Sequence, residues 1–488
     1  MSTPAVPTGP AAGAPGARGR AVAVAVAAGA VAAGLLAAWQ PLAGLAVALV
    51  ALLATAIRDV PVARMAPPLV VVITLAAIAG PNLAAPGLGG AFLYRVLIVL
   101  FGLGLAGYLL MDGRLALPAG LARPAGILGA WFLWTAVSIG WAENLPAAVR
   151  WTSFMAMMAG TALAIAVYCA DRRRARIMLW SLFAAFVVAG LIAVAEVATG
   201  LHLPTFRAGS ESRTLIGVGS LFGNQNNFAT FLGLSLPFLA TLPLIYRDAR
   251  LRVIGLGGAA ASLGFILLTG SKSGLLSAGF VLAGLVVLAS SDPRTRRRLM
   301  AAIGVLAVAA AVVIPSLQGG GIIRLDERTL TKLDFTTLTT QIQTGVGSGA
   351  VRATLLADGL TLVAETNGLG VGAGNAESRI EEMGPIAPRV PNLHNWWLEV
   401  LVNGGVVGFA LYVFFYVTLV RRQAAVVRTA EDPLVRYMAM SGALAMIGWI
   451  AGSIGPSTAI HFAPMWIVFG LSMGALALAR REARPSAS

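Results

Sequence analysis

Residues 391–415 read PNLHNWWLEVLVNGGVVGFALYVFF. The apolar run from Asn395 to Val420 carries a single charge, Glu399. As a helix rising about 1.5 Å per residue, it is long enough to cross the roughly 30 Å hydrocarbon core of a bilayer. Asn395 stands where a helix N-cap belongs and is of a type that caps well. His394 therefore places a titratable imidazole at the mouth of a membrane span. Asn395 and Glu399 fall one turn apart on one face of that helix. A carboxylate about 6 Å inside a span needs a partner, so Glu399 either orients a site at the entrance or makes a polar contact between spans. Trp396 and Trp397 read as interfacial anchors, or as platforms on which a sugar stacks.

The rest of the chain has the same character. Of its 488 residues, 58% are hydrophobic and 11% charged, and its mean hydropathy of +0.83 is beyond what a soluble domain tolerates without aggregating. The fold class is an all-α polytopic membrane protein. About fourteen apolar runs have the length of a span, twelve if those of marginal length are left out. They fall near residues 21–37, 41–57, 66–80, 91–111, 125–141, 151–169, 177–199, 224–246, 252–269, 272–290, 299–316, 395–420, 435–454 and 459–479.

Arginine orients these spans. Every second break, from Arg18/Arg20 to Arg480–Arg484, is arginine-rich, and together these breaks hold 24 of the 35 basic residues against 8 acids. The opposite side holds 10 basic and 10 acidic residues. By the positive-inside rule the arginine-rich side is cytoplasmic, and so are both termini. The net charge of +15 thus belongs to a face that meets anionic lipid. No nucleic-acid partner is implied, because no basic helix or aromatic-basic interleaving accompanies the charge. Residues 1–20, rich in Pro, Ala and Gly, read as a disordered cytoplasmic tail, and the first span as an uncleaved anchor because a second follows at once. Cys169, the only cysteine, builds no disulfide or thiolate metal site within one chain.

The outer side carries one long loop, 317–394, a medium one, 200–223, and all three histidines, His202, His394 and His461. Outer loops of that length are usually functional. Within the long loop SGAVRATLLADGLTLVAETNG reads as an interfacial helix with Val351, Leu355, Leu356, Leu360 and Val363 on its apolar face, ended by Asn367-Gly368. GLGVGAGN then crowds four glycines into a turn, a flexible connection or a close approach to phosphate, with Asn375 placed to cap the short helix that follows. The medium loop leads through Arg213 and FGNQNN into a span, where Asn224 and Asn227 either cap the helix or offer carboxamides to sugar hydroxyls. LTGSKSG sets Lys272 in an outer hairpin, as a snorkelling cation or an anion ligand. His202 and His461 read as solvated and Arg95 as snorkelling outward, since no motif surrounds them.

Arg213 with FGNQNNFATFL, then LTGSKSG, GLGVGAGN and PNLHNWWLEVLVNGGVVG resemble, in order and membrane setting, the O-antigen ligase and O-antigen polymerase superfamily. The resemblance covers roughly residues 205–420, and its most specific part is the His-Asn pair followed by Gly404, Gly405 and Gly408. It implies a metal-independent, inverting glycosyltransferase without a cofactor. Such an enzyme takes a glycan from undecaprenyl diphosphate at the outer face of the cytoplasmic membrane and passes it to a hydroxyl on lipid, glycan or protein. The residues implied are His394, Arg213 and Lys272, with Arg352 a fourth. In such proteins the hairpin position is usually arginine. Lys272 keeps the charge but not the bidentate fork.

The residue types suit that chemistry independently. A hydroxyl becomes a nucleophile when a positioned base takes its proton, and imidazole titrates near working pH. A leaving diphosphate gathers charge that fixed cations stabilise, as Arg213, Lys272 and Arg352 would. Outer acids Asp326, Glu327 and Asp334 are interspersed with cations, so no divalent-metal cluster is expected. The expected organisation is a tail at 1–20, an N-terminal bundle at 21–199, a catalytic region at 200–420, C-terminal helices at 421–479 and a tail at 480–488. A polysaccharide flippase or other secondary transporter is the rival reading. It calls for internal repeats and mid-membrane ion pairs, whereas the polar residues here gather at the outer edge.

Overall fold

A computed structural model of the chain describes residues 62–84, 92–112, 117–205, 217–289, 293–301, 304, 336–345, 347–383, 392–456 and 459–483. Among them every extended regular element is helical. The helices used below are α1 (Val62–Ala79), α2 (Leu93–Asp112), α3 (Ala122–Val137), α4 (Leu145–Tyr168), α5 (Arg172–Thr199), α6 (Gln225–Ala240), α7 (Leu242–Ile245), α8 (Ala249–Thr269), α9 (Lys272–Ala289), α10 (Thr336–Thr344), α11 (Ser348–Glu365), α12 (Ala376–Glu382), α13 (Trp396–Thr429), α14 (Pro433–Gly452) and α15 (Ala463–Glu482). Eight helices among the described residues are long and apolar enough to cross a membrane, and three shorter ones are apolar. These eleven fall on the expected spans, while the runs at 21–37 and 41–57 and most of 299–316 lie outside the described residues. The chain divides into two units, Met1–Ala66 with Val96–Ala116, and Pro67–Arg95 with Leu117–Ser488. Everything below concerns the second.

Among the described residues of that unit, six helices are capped by an Asx side chain, and the cap type sorts them. Asn144, Asn224 and Asn395 cap α4, α6 and α13, whereas Asp171, Asp248 and Asp432 cap α5, α8 and α14. The Asp-capped entries lie where the arginines are. Arg172 pairs with Asp432 and, at 2.8 Å, with Glu482, while Arg481 donates to the Ala170 carbonyl at 2.8 Å. A carboxylate cap gains from both the helix N-terminus and neighbouring guanidinium groups. At the other end neutral carboxamides cap helices with fewer cations around them.

That other end is fastened by hydrogen bonds across α6, α13 and α14. The Trp396 peptide N–H donates to the Ser453 carbonyl at 3.2 Å, and Thr230 Oγ1 donates to the Gly452 carbonyl at 3.3 Å. α14 packs against α6, α9, α13 and α15, and α15 lies along α4. α14 and α15 are the most enclosed of the candidate spans. Trp396 is fully buried, 6.2 Å from Trp131, 6.4 Å from Trp151 and 5.8 Å from Tyr412 between ring centroids. It is thus a core residue rather than an interfacial anchor. Half-buried Trp397 donates its indole N–H to the Ile450 carbonyl at 3.2 Å. Arg95 does not simply reach outward either: its guanidinium lies 4.4 Å and 4.8 Å from the ring centres of Phe92 and Phe154.

Candidate active site

The entrance of α13 is built around two asparagines. Asn395 Oδ1 accepts the peptide N–H groups of Trp397 at 3.1 Å and Leu398 at 3.4 Å, so the expected cap is present. The residue before it, His394, has φ +47°, a left-handed conformation that costs a non-glycine residue about 1 kcal/mol. Its peptide N–H donates at 2.8 Å to Asn392 Oδ1, an Asx turn that offsets part of that cost. Asn392 is itself buried and donates its Nδ2 to Glu377 Oε1 of α12 at 2.9 Å. The imidazole Nδ1 of His394 is enclosed and makes no hydrogen bond. Burial, and after it the charge of Arg352, push this imidazole down from 6.5 to about 4. The ring is therefore neutral at neutral pH and able to accept a proton.

Arg352 lies close enough for its charge to act on His394 because α11 is docked on α13. Leu355 and Leu362 of α11 share a buried cluster with Leu398 and Val402 of α13, Ile380 of α12, and Leu393. The C-terminus of α11 is as expected. Asn367, at φ +49°, donates its N–H to the Ala364 carbonyl at 3.0 Å, and the Gly368 N–H donates to the Val363 carbonyl at 2.8 Å. The apolar face read from the sequence splits in two, since Leu355 is buried against protein while Val351, Leu356 and Leu360 are exposed.

Next along the chain, the glycine-rich turn is neither a flexible connection nor a phosphate cradle. It fills a break in α13. Gly405, at φ +64° and ψ −169°, interrupts the helix, and the turn pairs with the freed backbone. The Val371 N–H donates to the Val402 carbonyl at 2.9 Å and the Val406 N–H to the Gly368 carbonyl at 2.8 Å. The indoles of Trp134 and Trp141 donate to the carbonyls of Gly404, at 2.7 Å, and Gly370, at 3.1 Å. A Cβ on Gly405 would lie 2.2 Å from the Leu369 carbonyl oxygen, and one on Gly370 would lie 2.4 Å from the Gly405 nitrogen. Only glycine permits that approach.

Asn375 occupies the N-cap position of α12, but its side chain does not cap that helix. Its Oδ1 accepts the Asn144 N–H at 2.6 Å, tying the turn to the start of α4. Asn403 of α13 takes over the cap, accepting the Ala376 N–H at 3.0 Å. Arg379 of α12 pairs with Glu143 at 2.7 Å, and that hydrogen bond holds its guanidinium above its ordinary pKa. Glu399, one turn into α13, is buried, with Oε1 lacking a partner. Its carboxyl group lies close enough to Glu377 to feel its charge.

The remaining predicted residues are placed around this entrance. Lys272 heads α9 between buried Ser271 and Ser273. A Cβ on Gly455, in the α14–α15 connection, would lie 2.6 Å from Ser273 Oγ and 3.2 Å from Thr230 Oγ1, so the α9 and α6 entrances share the end of the bundle where α13 begins. Asn224 Oδ1 accepts the Asn227 N–H at 2.8 Å, which makes it a cap. Asn227 donates to the Phe222 carbonyl at 3.3 Å and keeps a buried Oδ1 without a partner. Arg213 lies outside the described residues.

His202 corrects another expectation. Instead of being merely solvated, its Nδ1 lies 3.1 Å from Glu196 Oε1. The other oxygen of that buried carboxylate accepts the N–H groups of Gly219 at 3.0 Å and Ser220 at 2.8 Å, joining the two described ends of the Arg213 loop. His461 is exposed, its ring edge-on to Phe154 at 5.2 Å.

The structure thus brings His394, Arg352, Asn395 and Glu399 together and sets Lys272, Asn224 and Asn227 at the same end. Sequence reasoning missed Glu377, Asn392 and Asn403. Only Asn392 left a local signal, its place two residues before His394, where an Asx turn is made.

Residues 257–413 match the O-antigen ligase family. The sequence is also 27% identical over 412 residues to the teichuronic acid biosynthesis protein TuaE of Bacillus subtilis (strain 168), covering 81% of this chain and 80% of that protein. The O-antigen ligase match contains Lys272, Arg352, His394, Asn395 and Glu399, and begins after Arg213, Asn224 and Asn227. Family and apolar helices together give a multi-pass membrane protein with a glycan-processing role in cell-surface polysaccharide biosynthesis.

Proposed function

We propose that this protein transfers a glycan from undecaprenyl diphosphate to an acceptor hydroxyl at the outer face of the cytoplasmic membrane. The observation that carries the reading is His394: a neutral, enclosed imidazole held beside Arg352 at the entrance of a span. His394 takes the proton of the acceptor hydroxyl as its oxygen attacks the anomeric carbon from the side opposite the diphosphate. The new glycosidic bond forms, the bond to the diphosphate oxygen breaks, and the leaving group departs with that electron pair. Attack from the opposite side inverts the anomeric centre. Arg352, Lys272 and Arg213 are the cations assigned to the growing diphosphate charge. Asn395 and Glu399 hold the entrance, and Asn227 offers its spare Oδ1 to a hydroxyl.

The arginine-rich end is assigned to the cytoplasm and the His394 end to the outside, because positively charged connections stay inside. The similarity to a teichuronic acid biosynthesis protein favours another glycan chain as acceptor, and so polymerisation over ligation to lipid. Purified protein supplied with an undecaprenyl-diphosphate-linked oligosaccharide is expected to give a ladder of lengthened glycans, whereas a ligase gives one shifted product only when its acceptor is added. Movement of intact donor across liposomes without any new glycosidic bond would establish a transporter instead.

A further inference from the structure

His394 occupies a backbone conformation that few non-glycine residues adopt, and the side chains that secure it come from outside its own helix. Its peptide N–H is bound by Asn392, and Asn392 is bound by Glu377. Glu377 stands in the first turn of α12, a helix fixed at two further points: its Ala376 N–H by Asn403 of α13, and its Arg379 by Glu143 at the start of α4. The imidazole makes no hydrogen bond through Nδ1, so no bond at that nitrogen aims the ring. A left-handed residue released from its Asx turn relaxes toward the right-handed or extended regions, which redirects its Cβ.

We infer that Asn392 and Glu377 are positioning residues for His394, setting the direction of its imidazole through the left-handed turn. The inference rests on the proposed function, in which that imidazole serves as base. Neither side chain touches the reacting atoms. Their effect passes through the peptide of His394, and displacement of a reacting group by about 1 Å costs on the order of a hundredfold in rate.

The test uses full-length protein in detergent, an undecaprenyl-diphosphate-linked oligosaccharide as donor, and His394→Ala assayed alongside. Asn392→Ala is expected to lower kcat about ten- to a hundredfold while donor KM stays within about twofold, because donor binding is left intact. Glu377→Ala is expected to give a smaller loss in kcat, most of which Glu377→Gln recovers by keeping the Oε1 acceptor. A kcat within about twofold of wild type for Asn392→Ala, with His394→Ala inactive, overturns the inference and leaves the proposed function standing. Full activity in His394→Ala overturns both. A second readout does not depend on turnover: carbethoxylation of His394 by diethylpyrocarbonate, followed by peptide mass spectrometry. It should speed up several-fold in folded Asn392→Ala as the ring leaves its enclosed place, and an unchanged rate overturns the inference.

Discussion

The entrances of α6 and α13 are built alike. In each, an Asn side chain caps the first turn, and the residue just before it is left-handed: Gly223 at φ +70° before Asn224, and His394 at φ +47° before Asn395. At α6 the position is filled by the one residue that adopts this conformation without steric cost. At α13 a bulky imidazole sits there and needs Asn392 and Glu377 to hold it. The difference teaches where to look for function: a residue placed against its conformational preference, with supports recruited from another helix, is retained for something its side chain does.

The largest test of this contrast is His394→Asn. Asparagine tolerates the left-handed region, so the entrance should fold normally while transfer falls by about a hundred- to ten-thousandfold, the range associated with a general base. Activity close to wild type, measured on the lipid-linked donor, would remove His394 from the mechanism. Gly405→Ala attacks the platform beneath the entrance. With its Cβ 2.2 Å from the Leu369 carbonyl and φ at +64°, it should cost about 3 kcal/mol or more and appear as loss of monodisperse protein or a large drop in melting temperature.

Arg352→Gln sharpens the electrostatic half of the comparison. Arg352 lowers the His394 pKa, so its removal should move the acid limb of the kcat/KM profile upward from about pH 4. The limb should stop short of the ordinary value of 6.5, since burial, the larger cause, remains. An unmoved limb would mean that Arg352 does not govern His394. The smallest effects are a reciprocal pair. Gly223→Ala should destabilise by about 1 kcal/mol, its Cβ lying 3.0 Å from the Thr205 carbonyl, and inactive His394→Gly should stabilise by a similar amount. Thermal unfolding of both variants decides it, and equal signs would contradict the shared geometry.

Sequence reading succeeded where the signal is local and continuous. Apolar runs marked the eleven helices, arginine marked one end of the bundle, and Asn395 and Asn367-Gly368 marked a cap and a terminator. It failed where the partner is distant in the chain. Trp396 looks interfacial until Trp131, Trp151 and Tyr412 surround it. His202 looks solvated until Glu196 turns toward it from the last turn of α5. The glycine-rich turn offered two meanings, and the actual one depended on a break at Gly405 that the apolar pattern of α13 conceals. Of the proposed site, His394, Arg352 and Glu399 are named by type and position, whereas Glu377 and Asn403 join it through hydrogen bonds that no spacing announces.

The break in α13 bears on how the protein is made. The stretch Val406–Thr429, about 36 Å as a helix, is long enough to enter the bilayer by itself. The preceding turns hold Glu399 and Asn403, and their carbonyls at Val402 and Gly404 find partners only once the turn after α11 and the indole of Trp134 arrive. Insertion of this helix and completion of its entrance are therefore separable steps in biogenesis. The segment that carries His394 depends for its final form on contacts from the turn after α11 and from α3.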